Sequence, residues 1–467
     1  MTMPIRTAQG REMADDVPRE VRALARSLRD AGGRALVVGG WVRDRLLGVR
    51  TKDLDVEVYG LSLDRIEEVL SAAGEVIAVG RAFGVLRVKG LDVDFSVPRR
   101  DSRVGRGHRG FRVVTDPDMS PAEAVRRRDL TINALLLDPL DGKLLDPAGG
   151  LRDLEAGELR AVDPGTFPED PLRPVRVAQF AARLGYRVVP SLLEVCRRID
   201  LRELPAERLW EEWVKMLLRG TRPSLGLAFL QQAELLDVTP ELEALVGVPQ
   251  DPVWHPEGDV WEHTLQAVDN AAGLRTGERA ADLALMFGVL CHDLGKPPTT
   301  RFLDGRWRSH EHEDRGVPLT RALLHRLGAP GRLIRQVEVL TRCHLRPGQL
   351  VRGRATPRGY RRLAREVDGA GVSLSLLERV ARADALARRG PGGPELTYPE
   401  GEAFLRVAEE LRVRDRSPAD VVRGRHLIAR GLRPGPEFGP ILARCREVQD
   451  ATGWDDPDRI LGAVLTD

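Results

Sequence analysis

Val17, Val21, Leu24 and Leu28 recur one helical turn apart among arginines and acids, so residues 16–31 predict an amphipathic helix. The period then changes. ALVVGG at 35–40 is a short β-branched run stopped by two glycines, and WVRDRLLG follows at 41–48, so strand, glycine turn and helix are expected in that order. LDVEVYG at 54–60 predicts a second strand, 62–73 a helix, and 75–79, 84–88 and 91–97 three further strands, together a small mixed α/β unit. Beyond Leu159 the strand signal fades. Leucine-, alanine- and arginine-rich segments predict helices at 174–185, 190–199, 206–218 and 224–235, and the remainder is mostly α. Proline-rich breaks at 248–261 and 388–401 mark boundaries, and no internal repeat stands out.

Length turns these elements into domains. At roughly 100 to 200 residues per domain, 467 residues predict two to four. With 30% charged and 42% apolar residues, the chain can bury cores, which excludes a disordered or fibrous protein. No apolar run approaches the roughly 20 residues that cross a bilayer, and the N-terminal segment lacks the apolar centre of a secretory signal. A cytoplasmic protein without a membrane partner is expected. Cys196, Cys291, Cys343 and Cys445 have no C-x-x-C spacing, which predicts buried free thiols rather than disulfides or a thiolate zinc site. The formal net charge of +2 suggests indifference to polyanions, but averages hide patches. Residues 99–128 hold nine arginines against Asp101, Asp116, Asp118 and Glu123, enough local excess to attract phosphate.

Gly39 and Gly40 lie where a strand ends and a helix opens, so backbone can approach an anion closely and helix N-terminal amides can face it. Arg43 and Asp44 fall on the first helical turn. One strand later comes Asp53-Leu54-Asp55, and period two puts both carboxylates on one face of a strand. Side-by-side acids repel unless cations neutralise them, and divalent magnesium takes such oxygens. Asp94, in LDVDFS, could join from a neighbouring strand. Glycine cradle, arginine and D-x-D together are the parts of two-metal phosphoryl or nucleotidyl transfer.

GGWVRDRLLGVRTKDLDVEVYG (39–60), RRRDLTINALLLD (126–138), DPAGGLRDLEAGELRAV (146–162) and EDPLRPVRVAQFAARLG (169–185) occur in order, and in this they resemble the class II CCA-adding enzyme and bacterial poly(A) polymerase family. The resemblance covers residues 34 to about 240. It implies that Asp53 and Asp55 hold two Mg²⁺ ions, with Asp94 as the further candidate catalytic acid. It also implies that Gly39, Gly40 and Arg43 touch the incoming triphosphate and that Arg128, Asp129 and Asn133 contact phosphate and ribose. Glu169, Asp170, Arg173 and Arg176 match the stretch that in this family reads CTP and then ATP by base-edge hydrogen bonds. Asp170 and Arg173, three apart, would share a helix face, offering an acceptor and a forked donor. Pro174 belongs in a first helical turn, which assigns 169–171 to the cap region. Gln179 stands where many relatives carry arginine. From Arg99 to Arg112 six arginines and three glycines face Asp101 alone, a pattern expected to form a basic, mobile surface loop. The family has a flexible loop there that helps switch from CTP to ATP, and its length favours complete CCA addition.

Seven of the nine histidines fall between 255 and 344. His263, then His292-Asp293 in CHDLGK after an apolar helical run, then His312, then Asp384 in VARADAL resemble in order the HD superfamily of metal-dependent phosphohydrolases. Imidazole and carboxylate ligands suit Ni²⁺, Mn²⁺ or Mg²⁺, one ion or two, and a metal there would lower the pKa of a bound water. His344 is an open candidate ligand; His310 and His325 are expected at the surface. CCA-adding relatives with such a domain also share HPEGDVWEHT (255–264) and GRHLIARGLRPGPEFGPIL (424–442), and that domain is associated with phosphatase and 2′,3′-cyclic phosphodiesterase activity.

The expected architecture is an α/β nucleotidyltransferase head with a small mixed sheet (1–160), an all-α neck and body that selects nucleotide and binds RNA (161–247), an all-α HD domain (248–395) and a helical tail (396–467). The expected function is template-independent CCA addition to the 3′ end of tRNA from CTP and ATP. A poly(A) polymerase or a CC-only or A-only enzyme shares these motifs. An HD hydrolase with an inactive transferase domain is the alternative of another class. The sequence does not choose between monomer and dimer.

Overall fold

The computed structural model describes residues 10–51, 53–80, 84–103, 111–390, 392–393 and 396–465. The chain forms two compact units, Met1–Glu212 with Leu225–Val238, and Trp213–Ser224 with Thr239–Asp467.

In the first unit, helix Arg19–Asp30 buries Val21, Leu24, Ala25 and Leu28 along one stripe, as the spacing predicts. The strands are β1 (Arg34–Val38), β2 (Leu54–Tyr59), β3 (Val76–Gly80), β4 (Val85–Val88), β5 (Val93–Ser96), β6 (Arg99–Arg103), β7 (Phe111–Thr115), β8 (Leu136–Leu137) and β9 (Leu144–Leu145). Seven of them make one mixed sheet in the order β3-β4-β5-β2-β1-β8-β9. The β2–β5 pair is parallel and the other pairs are antiparallel. Leu36, Val38, Tyr59, Met119, Val125 and Leu136 share a core on this sheet. The helices expected from 174 onward are present as Arg173–Leu184, Pro190–Cys196, Ala206–Arg219 and Pro223–Gln232. One short parallel pair, Glu158–Leu159 with Arg187–Val188, interrupts the helical stretch.

The arginine-rich segment departs from the expected loop. Strands β6 and β7 pair antiparallel from Arg99↔Thr115 to Arg103↔Phe111, a separate two-stranded ribbon. The backbone groups of the two strands satisfy one another across the pair, whatever their side chains. Residues 104–110, with Arg106 and Arg109, lie outside the described residues.

In the second unit, helix Arg279–Cys291 is buried at every position from 284 to 291, so it is a central helix rather than an amphipathic one. Helices Val260–Gly273, Gly331–Cys343 and Leu374–Leu386 pack against it. The region expected to be helical is so, with one added hairpin, Thr300–Leu303 with Arg306–Ser309. Val422, Leu427, Cys445, Ile460, Leu461 and Val464 form a small further core near the C-terminus. All four cysteines are buried and free, and burial pushes the Cys196 thiol up to about 12. Among the described residues no helix is long and apolar enough to cross a membrane.

Candidate functional site

Strand β2 carries Asp55, Glu57 and Tyr59 on one side, with Asp53 immediately before it on the same period. Exposure falls along that row: Asp53 and Asp55 open to solvent, whereas Glu57 is fully buried. Parallel pairing of β2 with β5 sets Asp94 directly opposite Asp55. Arg87, opposite Asp94 on the other side, gives it an ion pair at 2.7 Å. Protein around Asp55 strips part of its water and lifts its pKa above the ordinary carboxylate range; Arg128 pulls it down, while Asp94, Asp53 and Glu57 add to the rise. Neighbouring carboxylate oxygens of this kind fit a hard divalent cation such as Mg²⁺.

Beside these acids, Gly39 caps helix Gly40–Leu46 with φ 73° and ψ −129°, a conformation open only to glycine. A β-carbon there would lie 2.8 Å from Arg128 Nη1. The helix turns Arg43 and Asp44 inward, where both are buried. Arg43 Nε and Nη2 donate to Asp44 Oδ1 at 2.8 and 2.7 Å, and Nη1 donates to Asn133 Oδ1. Asn133 Nδ2 donates to Asp129 Oδ1 at 2.9 Å, and Asp129 Oδ2 accepts from Arg176 Nε at 2.8 Å. Arg183 Nη2 closes the other end on Asp44 Oδ2 at 2.9 Å. Burial alone would raise the Asp129 carboxyl; Arg176, the Asn133 amide and the Leu130 N–H hold it down at about 2. Phe180 lies beneath both guanidinium groups, 4.9 Å from Arg43 and 5.7 Å from Arg176. Three segments far apart in the chain thus meet in one chain of hydrogen bonds.

The expected pairing of Asp170 with Arg173 on a helix face is corrected. Asp170 precedes the helix at φ −110° and ψ 106°, because Pro171 disfavours helical backbone in the residue before it. Leu172 is the N-cap, Arg173 the first helical residue, and Pro174 sits in the first turn as expected. Asp170 pairs instead with Arg208 at 3.1 Å. Arg173 donates to the carbonyls of Thr166, Phe167 and Arg127 at 2.7, 3.2 and 2.6 Å, which uses three of its five N–H groups. Gln179 is buried on the same helix.

In the second unit, His263, His292, Asp293, His312, His344 and Asp384 are all buried and converge. His292 and His344 cap the C-termini of their helices, and His312 opens helix His312–Arg326. A β-carbon at Gly295 would run into the His312 carbonyl, so glycine in CHDLGK lets the two segments touch. Nδ1 of His292, His312 and His344 contacts a backbone carbonyl at 2.7 to 2.9 Å, and His263 Nδ1 contacts Glu257 Oε1 at 2.7 Å. Carbonyls and carboxylates only accept, so each Nδ1 carries a proton and each Nε2 is left to face the interior of the group. These Nε2 atoms lie close together: His263 and His292 Nε2 are 3.2 Å apart, His312 and His344 Nε2 3.4 Å.

Two three-donor groups result, His263 with His292 and Asp384, and Asp293 with His312 and His344. Asp293 reaches both, Oδ2 lying 3.2 Å from His292 Nε2 and Oδ1 3.4 Å from His312 Nε2. Asp293 Oδ2 is buried and accepts no hydrogen bond, though Lys296 Nζ lies 2.7 Å away as an ion pair. Burial would raise Asp293 and Asp384; His292 and Lys296 around the first, and Arg388 and His263 around the second, hold both well below the carboxylate range. Burial, then His292 and His312, push the His344 imidazole down to about 3, which keeps it neutral. Converging imidazole nitrogens and carboxylates fit divalent metal. His310 and His325 are exposed, as expected.

Residues 35–160 match the poly A polymerase head domain family, and residues 260–389 match the HD domain. A multifunctional CCA protein of Stenotrophomonas maltophilia is 37% identical over 426 residues, 88% of this chain and 97% of its own length. The chain belongs to the multifunctional CCA protein family. A second relative, from Alkalilimnicola ehrlichii, is 36% identical over 80% of this chain and 88% of its own. The fold is similar to that of the Thermotoga maritima CCA-adding enzyme complexed with tRNA, with a TM-score of 0.62 at 19% identity over 99% of both chains. It is also similar to that of the Bacillus stearothermophilus CCA-adding enzyme in complex with CTP, with a TM-score of 0.64 at 21% identity over 96% of both.

Sequence reasoning missed residues that support the two sites. Glu57 accepts from Arg127 Nη2 at 2.5 Å and from the Tyr59 hydroxyl at 2.6 Å. The signal was present, since Glu57 continues the alternation of Asp53 and Asp55. Glu257 also lay in view, within HPEGDVWEHT, where it holds His263 and, at 2.9 Å, His255. Arg183 carries no such signal, because Asp44, which it meets, lies 139 positions earlier in the chain.

Proposed function

We propose that this protein adds CCA to the 3′ end of tRNA in the cytoplasm, using CTP and ATP. The observation that carries this is the register of Asp55 opposite Asp94, with Asp53 beside them, against the Gly39 turn. Asp53, Asp55 and Asp94 would hold two Mg²⁺ ions, which when bound supply charge stabilisation to the phosphate oxygens. Gly39 and Gly40 admit the triphosphate, with Arg43 and Arg128 facing it through the N–H groups their partners leave over. Asp129 and Asn133 take the ribose, and Asp170, Arg173 and Arg176 the base edge. In the reaction the tRNA 3′ oxygen bonds to the α-phosphorus, the bond from that phosphorus to the bridging oxygen breaks, pyrophosphate leaves, and the hydroxyl proton passes to water. Within the two units we assign residues 1–160 to catalysis, 161–247 to nucleotide selection and RNA binding, 248–395 to the HD function and 396–467 to a helical tail.

The test is incubation with tRNA transcripts lacking CCA, CA or A, with each nucleoside triphosphate alone and together. CTP and ATP are expected to complete the CCA end. Asp53→Ala and Asp55→Ala are expected to lose addition by roughly a hundredfold or more, several kcal/mol of charge stabilisation being removed, with an unchanged circular dichroism spectrum. A product ending in CC, or a variant that still adds nucleotides, would overturn the reading.

The converging Nε2 atoms favour a second activity. We propose that His263, His292, Asp293, His312 and Asp384, with His344, hold one or two divalent ions such as Ni²⁺, Mn²⁺ or Mg²⁺ for hydrolysis of phosphoesters, 2′,3′-cyclic ones included. Asp293, the group shared by both donor sets, is the residue on which this depends most.

A further inference from the structure

Above the histidines lies a cavity of about 480 Å³, within the range of roughly 300–1,000 Å³ that takes a small organic ligand. Its floor includes Asp293, His312, His344 and Asp384 of the metal-ligating set already described. Two of its walls come from elements with no part in that set, the turn at 249–255 and the hairpin Thr300–Leu303 with Arg306–Ser309. Each wall brings an indole. Trp254 is 61% exposed and Trp307 37%, although burying either would gain several times RT. Two half-open indoles on one cavity are a surface kept for a flat partner.

Asp251 accepts from the Val253 amide at 2.9 Å through Oδ1 and from the Trp254 amide at 3.1 Å through its carbonyl, which fixes the backbone that carries Trp254. Phe302 stands opposite Trp307 in the hairpin and meets it edge to face at 5.1 Å. The same hairpin places Arg306 and Arg308 on the cavity. Their ion pairs are long, 3.9 Å to Asp251 and 3.5 Å to exposed Asp304, and can yield to a phosphate oxygen. A bare phosphate would need the floor and the cations alone. Aromatic faces beside arginine forks match a base joined to a phosphate.

We infer that Trp254 and Trp307 are the base-binding walls of this pocket and Arg306 and Arg308 its phosphate anchors, so that it selects a ribonucleotide end over a base-free phosphoester. The inference rests on the phosphohydrolase reading of the histidine site. Its test compares hydrolysis of 2′,3′-cyclic AMP with hydrolysis of methyl riboside 2′,3′-cyclic phosphate, the same reacting ring without a base, by the full-length metal-loaded protein. Trp254→Ala and Trp307→Ala should each raise KM for 2′,3′-cyclic AMP about tenfold, the order expected for one stacked base, and leave the base-free substrate within about twofold. Trp307→Phe should stay near wild type. Arg308→Ala should weaken both substrates alike. Equal losses on the two substrates in the tryptophan variants, or no loss on either, overturn the assignment of walls while leaving the hydrolase intact. A wild-type protein that hydrolyses neither substrate overturns the hydrolase reading and this inference with it.

Discussion

Asp129 shows how one carboxylate can tie a site together. Its low pKa of about 2 means that the folded state gives up this proton more readily than the unfolded chain does. The resulting stability is fully present above the ordinary carboxylate pKa near 4 and is lost as the pH falls through 2. Asp129→Asn should therefore cost roughly 2 kcal/mol at pH 7. Urea midpoints measured between pH 5 and pH 2 should fall more steeply for wild type than for the variant; parallel curves would show that Asp129 does not hold the network. At this scale the sequence was informative where chemistry repeats at short range. Asp53, Asp55 and Glu57 are spaced by two, and the HD pair is adjacent. It was silent on Arg183 meeting Asp44, 139 positions earlier, because no local period encodes that contact.

The elements followed hydrophobic spacing closely, since burial of one stripe or one face fixes helix and strand alike. Two places escaped. Pro171 broke the expected helix face by forcing Asp170 into extended backbone, and the arginine-rich stretch formed the β6–β7 ribbon because a hairpin satisfies its own backbone whatever its side chains. The turn between β1 and the helix after it has little latitude. Gly39→Ala combines a positive φ with a β-carbon 2.8 Å from Arg128 Nη1. It should lower stability by roughly 1–3 kcal/mol in thermal or urea melts and slow nucleotide addition, since Arg128 must move. A variant with unchanged melting and activity would mean that the turn relaxes and that Arg128 has no fixed role.

For the molecule as a whole, the two sites are built in separate compact units, and this allows their activities to be separated. Asp293→Ala should bind less divalent metal by calorimetry and lose 2′,3′-cyclic AMP hydrolysis, while CCA addition stays near the wild-type rate; Asp55→Ala should do the reverse. Loss of both activities from either change would argue for a single shared function. By itself the sequence determined the order of elements, the glycine turn, the row of acids on β2 and the identity of the HD pair, because these depend on short-range period and on residue chemistry. Only the tertiary structure decided that Asp94 faces Asp55, that Arg43, Asn133, Asp129 and Arg176 form one hydrogen-bonded chain, and that His312, His344, Asp293 and Asp384 line one cavity with two open indoles. Those are pairings across tens to hundreds of residues. Packing and register select them, and no local pattern of side chains can.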